Sequence, residues 1–184
     1  DIAGTALDTW GAVRLRLKAD DGAIVRVNGT QVARANLGFG VSGHTAVAWS
    51  PVTVAGGGAT RDLYLPRALF TSGTNRISVE LHQATAADTD AYMDLDLTAT
   101  RRGDDVTAPA APASATAGTA TNTAIPVTWP VSPETDVAGY ELRRNGVDIG
   151  FFAKGETSYL DQQLTPGTAY AYEVLAFDLA GNRS

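Results

Sequence analysis

The chain has no cysteine. That excludes disulfide staples, thiolate metal sites and thiol nucleophiles, and it leaves the fold to be held by core packing. Histidine is nearly absent too, with His44 and His82 the only two. A Ser–His–Asp triad or a histidine-rich metal site would have to be built on one of them or completed by another chain. Positive charge is short: 14 basic residues, of which only Lys18 and Lys154 are lysines, face 20 acidic ones for a net charge of -6. A groove that tracks phosphates needs a basic face, so nucleic acid is not an expected partner. No apolar run approaches the roughly 20 residues of a membrane span, and no membrane partner is expected. The opening residues do not show the charged-then-apolar pattern of a signal peptide.

What is present points to a packed protein. Hydrophobic residues are 44% and charged residues 18% of 184, enough to bury one large or two small domains. The abundance of Ala, Thr, Gly and Asp, with arginine favoured over lysine, suits an exported bacterial protein. A secreted or cell-surface location is therefore expected, and a monomer.

Helical periodicity is almost missing, while period-two alternation runs throughout, broken by Gly, Asn, Asp and Pro. Val13, Leu15, Leu17 and Ala19 alternate with Arg14, Arg16 and Lys18, which reads as a strand with one buried face. Asp20-Asp21-Gly22 reads as a turn, Ala23 to Val27 as a strand, and Asn28-Gly29 as a hairpin with positive φ at both central positions. Ile77, Val79 and Leu81 alternate with Ser78, Glu80 and His82, and Met93, Leu95 and Leu97 with Tyr92, Asp94 and Asp96. Pro66 to Phe70 could hold one helical turn. The expected class is all-β, two β-sandwiches in tandem. The boundary falls where Arg101-Arg102-Gly103-Asp104-Asp105 gives way to Thr107-Ala108-Pro109-Ala110-Ala111-Pro112, a polar stretch followed by Pro/Ala. The expected domains are 1–101 and 113–184, with 102–112 as linker. Residues 1–105 hold 10 basic and 12 acidic groups and the remainder 4 and 8, so neither half has a field that defines a partner.

In the second half, Ile125-Pro126-Val127-Thr128-Trp129 reads as a strand with a core tryptophan. Asp136 to Gly146 reads as a strand and its turn, and Thr157-Ser158-Tyr159-Leu160-Asp161 as another strand. Leu164-Thr165-Pro166-Gly167-Thr168-Ala169-Tyr170 precedes a strand whose inward face is Tyr172, Val174 and Ala176, and Asp178-Leu179-Ala180-Gly181-Asn182 follows it. These motifs resemble the fibronectin type III domain, over about residues 107–184. The resemblance implies that Trp129 sits in the core and that Tyr170 is the corner tyrosine, its hydroxyl bonded to backbone a few residues upstream. It also implies a seventh strand, which is expected to be missing because the sequence stops at Ser184.

In the first half, Leu15 to Arg34 and Gly73 to Gln83 resemble a galactose-binding-like jelly-roll module appended to bacterial secreted enzymes. Members of that family begin with further strands, so the amino-terminal part of the domain is expected to lie before Asp1. A lesser resemblance of Asp20-Asp21-Gly22 is to PA14 sandwiches, some of which bind glycans through calcium.

Each candidate for chemistry has a plainer alternative. Asp20 and Asp21 could hold calcium, with Asn28 or Asp88-Thr89-Asp90 adding oxygens; the plain reading is turn chemistry, with carboxylates accepting backbone N–H bonds. Asp88-Thr89-Asp90 lacks the pattern of an EF-hand. Asp94 and Asp96 share a strand face at ~7 Å, a spacing that can serve glycoside hydrolysis, but the alternation puts both in solvent. Glu80 and His82 offer two ligands, fewer than a metal site needs, and His44 sits in a Gly/Ser loop. Arg102-Gly103-Asp104 matches an integrin-type tripeptide. Asn28-Gly29-Thr30 and Asn182-Arg183-Ser184 fit the glycosylation pattern. Trp10, Phe39, Trp49, Tyr64 and Tyr92 are among the large aromatics of the first half. Trp49, Tyr64 and Tyr92 are the expected sugar-stacking residues if the half binds carbohydrate, and core packing is the competing fate.

The expectation is a non-catalytic accessory segment of a larger secreted protein, a glycoside hydrolase or phosphoesterase. Polysaccharide or a neighbouring catalytic domain would be its partner. No catalytic residue and no cofactor are expected, calcium being the ion the turn could take. The competing expectation is a structural or adhesive spacer with no small ligand. An enzyme in its own right, resting on His82 or Asp94, is a third reading.

Overall fold

The computed structural model describes residues 2–3, 6–37, 48 and 58–184. Its strands are β1 (Ile2–Ala3), β2 (Trp10–Asp20), β3 (Gly22–Val27), β4 (Thr30–Ala35), β5 (Ala59–Leu65), β6 (Thr74–Asn75), β7 (Ile77–His82), β8 (Tyr92–Arg101), β9 (Thr116–Ala117), β10 (Ala124–Thr128), β11 (Val137–Arg144), β12 (Val147–Ala153), β13 (Ser158–Gln162) and β14 (Tyr172–Asp178). They form a β1–β6 ribbon and four three-stranded sheets, ordered β5-β2-β8, β4-β3-β7, β13-β10-β9 and β12-β11-β14. Helix is limited to 3-10 turns at Leu7–Thr9 and Arg67–Leu69, the second where Pro66 to Phe70 predicts one.

The first two sheets face each other across one apolar core. In β2 the alternation is realised: Val13, Leu15, Leu17 and Ala19 are buried, against Leu63 and Leu65 of β5 and Leu95 and Leu97 of β8. Arg14 and Arg16 point the other way and pair across the strands with Asp62 (2.7 Å) and Asp96 (2.6 Å). Asn28 and Gly29 carry φ of 50° and 88° and join β3 to β4, as the Asn-Gly signal requires. An eight-stranded jelly roll has two Greek keys; the described residues supply two three-stranded sheets, and β-sandwich is the description they carry.

Asp20-Asp21-Gly22 departs from the expected turn. β2 and β3 lie in different sheets, and Asp21 is the single residue between them. The segment carries the chain across the sandwich, through a cis Asp20–Asp21 peptide, with both aspartates buried. His82 also departs from expectation. Alternation places it outward, and outward it is, yet it is buried at 6% exposure. The outer face of its sheet is covered, because Ile24 of β3 packs there with Leu37, Ala48 and Ala84.

The second pair of sheets encloses Trp129, which meets Tyr140 and Phe152 edge-to-face at centroid distances of 6.1 and 5.0 Å. Val127, Leu142, Val174 and Ala176 complete that core, with Tyr172 against it. The Tyr170 hydroxyl accepts the Thr165 N–H at 3.0 Å. After β14 the chain turns through Asp178 to Asn182 and comes back alongside, with Arg183 opposite Phe177 and Ser184 N–H donating to the Ala176 carbonyl.

The two sandwiches are not separate beads. β4 and β5 are edge strands on the same side of the first sandwich, and β12, an edge strand of the second, packs against both. Neighbouring residues of β12 face opposite ways. Phe152 enters its own core beneath Trp129, while Phe151, 3% exposed, joins the core of the first sandwich. Glu156 follows β12 and receives a bidentate pair from Arg61 of β5, at 2.7 and 3.0 Å. A second contact lies at the Leu179 carbonyl, which accepts Ala12 N–H (3.1 Å) and Thr100 Oγ1–H (2.6 Å). Ala12, Ala138 and Phe177 form a small apolar cluster beside it, with Tyr64 packed on them.

Candidate functional site

The junction leaves a cleft of about 560 Å³ beside the Arg61–Glu156 pair. One wall is β4 and the residues after it, including Gln31, Arg34 and Asn36; the other is β12, the turn after it, and the start of β13 with Ser158 and Tyr159. The wall residues are held from behind. Arg34 Nη2 donates to Gln31 Oε1 at 2.9 Å. The Tyr159 ring meets Phe152 edge-to-face at 5.4 Å. Burial pushes the Arg34 guanidinium down and the Tyr159 hydroxyl up, the latter aided by Asp161. Burial opposes ionisation of Glu156, yet the Arg61 guanidinium and the Ala153 N–H hold its carboxyl below the usual range. Arg61 Nε is buried and has no hydrogen-bond partner among the described residues. Chemically the cleft offers fixed donors, amide and hydroxyl groups, and the aromatic side chains of Phe151, Phe152 and Tyr159.

The outward side of β11 holds a second electrostatic feature. Glu141 is fully buried, paired with Arg143 (2.7 Å) and Arg183 (3.1 Å). Burial, then Asp148 alongside, pushes its carboxyl up to about 7.

The sequence candidates are dispersed. Trp49, Phe39 and His44 lie outside the described residues. Tyr64 is half-buried against Ala12, Ala138 and Phe177 at the junction, and Tyr92 is 41% exposed at the start of β8. Trp10 packs edge-to-face on Phe70 at 6.0 Å. Asp21 Oδ2 accepts the Ala84 N–H at 2.8 Å, and Asn36 donates to the Asp21 carbonyl. Asn28 is committed elsewhere: its amide donates to Leu69 O and Asn75 Oδ1, and its oxygen accepts Arg76 N–H. Asp88 caps Thr85 N–H. Asp20 and Asp21 are therefore not gathered with Asn28, Asp88 or Asp90 into a group of three ligands among the described residues. Asp94 is exposed, and Asp96 is held low by hydrogen bonds from Arg16 and Thr98, which suits an ion pair better than an acid catalyst. His82 Nε2 lies 3.4 Å from Glu80 Oε2, and Glu80 is also paired with Arg26. Gly103 and Asp104 are exposed and Arg102 N–H donates to Thr9 O.

Sequence reading missed one carboxylate group. Asp105, Asp136 and Asp178 bring one oxygen each within 4.8 Å of one another, a set that could hold a cation. Asn182 already reaches into it, donating from Nδ2 to Asp178 Oδ2 (2.8 Å), Asp105 O (3.1 Å) and Thr107 O (3.3 Å). The group fastens the turn after β14 to the chain that leads into the second sandwich. Its members are far apart in sequence, and no local spacing reports them.

No family model matches the chain. A stretch of 81 residues, 44% of the chain, is 43% identical to 7% of Exoglucanase B from Cellulomonas fimi. A stretch of the same length is 41% identical to 6% of an Alpha-amylase from Niallia circulans. Chitinase C of Streptomyces lividans is 36% identical over 74 residues, 12% of its length. The chain therefore matches a small fraction of each curated relative, one the size of a single sandwich. Among solved structures, the three fibronectin domains of chicken CNTN1 superpose with a TM-score of 0.39 at 18% identity, over 89% of this chain and 53% of that one. At that score the likeness adds nothing to the fold described above. Among the described residues no helix is long and apolar enough to cross a membrane.

Proposed function

We infer that this chain is a non-catalytic accessory unit of a larger secreted bacterial enzyme that hydrolyses glycans. The observation that carries it is the match of 81 residues to small portions of an exoglucanase and an alpha-amylase, and of 74 to a chitinase. Enzymes with those different names share this stretch, so it serves something common to them rather than one bond-breaking chemistry. The galactose-binding-like resemblance of residues 1–101 supports carbohydrate as the partner of the first sandwich. The second sandwich, locked to the first through Phe151 and Leu179, holds it at a set angle to a neighbouring catalytic domain. The unit acts as a monomer.

Deleting this segment from its parent polypeptide tests the reading. Hydrolysis of insoluble polysaccharide falls several-fold while hydrolysis of a small soluble glycoside stays unchanged. Equal loss on both substrates, or glycosidase activity in the isolated 184-residue chain, overturns it. Unchanged activity on both favours a spacer role on a surface protein.

A further inference from the structure

We propose that the cleft between the two sandwiches is a carbohydrate subsite, taking a short glycan segment against Tyr159 with its hydroxyls met by Gln31, Arg34 and Ser158. The proposal rests on the accessory reading above and names the site through which it works.

The volume comes first. About 560 Å³ lies within the range of small-molecule sites, roughly 300–1,000 Å³, and such sites favour the seams between domains. Composition comes second. A pyranose presents CH groups on its faces and hydroxyls on its rim. It therefore needs an aromatic surface flanked by groups that donate and accept. Tyr159 supplies the ring, and the Gln31 amide and Ser158 hydroxyl supply groups able to do both. Arg34 and Arg61 add donors, and with Glu156 the charged lining sums to +1. Vicinal sugar hydroxyls fit this set, and so does a uronate carboxylate on the same ring. Rigidity comes third. The Phe152 contact fixes Tyr159, Gln31 steadies Arg34, and Glu156 grips Arg61 at both terminal nitrogens. A ligand there finds groups already ordered, which lowers the entropic cost of association.

The cleft also needs both sandwiches. β4 supplies one wall and β12 and β13 the other, so neither half alone contains the subsite.

The test is a backbone amide NMR titration of the 184-residue chain with tetrasaccharides of cellulose, starch and chitin, and with a uronic-acid oligomer. Concentrations run to roughly 10 mM, where weak single sites saturate. Saturable shifts centred on Gln31, Arg34 and Thr157 to Leu160 support the proposal, and the responding sugar distinguishes a neutral glycan from an acidic one. Gln31→Ala, and Ser158→Trp as a blocking change on the cleft wall, each weaken that binding about tenfold, the loss of one good hydrogen bond or of ring access. Denaturation curves matching the parent chain show that these variants fold; the shift map on the unaltered chain decides the matter without them. Binding whose shifts centre on Tyr92, or that Tyr92→Ala abolishes, overturns the cleft and leaves the accessory role standing. No binding by any sugar of the panel also overturns the cleft, and the deletion experiment then decides the accessory role independently.

Discussion

Gly11 sits so close under the backbone of Leu179 that a β-carbon on it would stand 2.0 Å from the Leu179 carbonyl oxygen. Real side chains never approach backbone that closely. The next residue, Ala12, donates its N–H to that same carbonyl. The absence of a side chain at position 11 is thus what lets the turn after β14 dock on β2. Gly11→Ala is expected to push the sandwiches apart at this point and cost about 1–3 kcal/mol, the usual range for forced overpacking. Urea denaturation of the full chain measures the loss, and an unchanged midpoint would show that the contact is slack.

Phe151→Ala removes the ring that the second sandwich places in the core of the first. A buried phenylalanine truncated to alanine costs about 3–5 kcal/mol. The first sandwich is expected to lose stability even though none of its own residues has changed. Fluorescence distinguishes the halves only poorly, so hydrogen exchange is the better readout: faster exchange in β4 and β5, with β10 and β13 less affected.

Tyr170→Phe deletes the hydroxyl that accepts Thr165 N–H and keeps the ring beneath the Arg144 guanidinium, 5.5 Å from its centroid. A loss of stability smaller than that of Phe151→Ala is expected, confined to the loop before β14. A melting temperature equal to that of the parent chain would remove the corner from the list of stabilising contacts.

Glu141 gives a pH signature. Burial raises its carboxyl from an ordinary 4.5 to about 7, so the folded chain binds this proton more tightly than the unfolded chain. The resulting stabilisation is full below about 4.5 and is lost as pH rises to about 7. Asp62 and Glu156, held low in the folded state, act with the opposite sign and lose their contribution on acidification. Glu141→Gln isolates the first effect. The difference in unfolding free energy between parent and variant is expected to be flat above pH 7. It then shifts in the parent's favour as pH falls toward 4.5. A difference independent of pH would place the Glu141 carboxyl at its ordinary value.

Local pattern carried much of the fold. Period-two alternation located β2, β7 and β8, and Asn28-Gly29 located a hairpin. Alternation fails where both faces of a sheet are covered, because parity then no longer distinguishes core from solvent. His82 is such a case, buried under the cover that Leu37 and Ala48 give its sheet. Phe151-Phe152 is another. Two consecutive rings on an edge strand are a readable sign that each face of that strand has something to bury against. Asp105, Asp136 and Asp178, and the two walls of the cleft, are assembled by tertiary packing from distant segments, and a single sequence offers no spacing that links them.

The ring of Phe151 makes the second sandwich a stopper in the first. Stoppers are not interchangeable. Removing the second sandwich from this tandem leaves the first with an open seat where the Phe151 ring stood. Any change that widens the seat around Phe151 must be matched by a change in the plug.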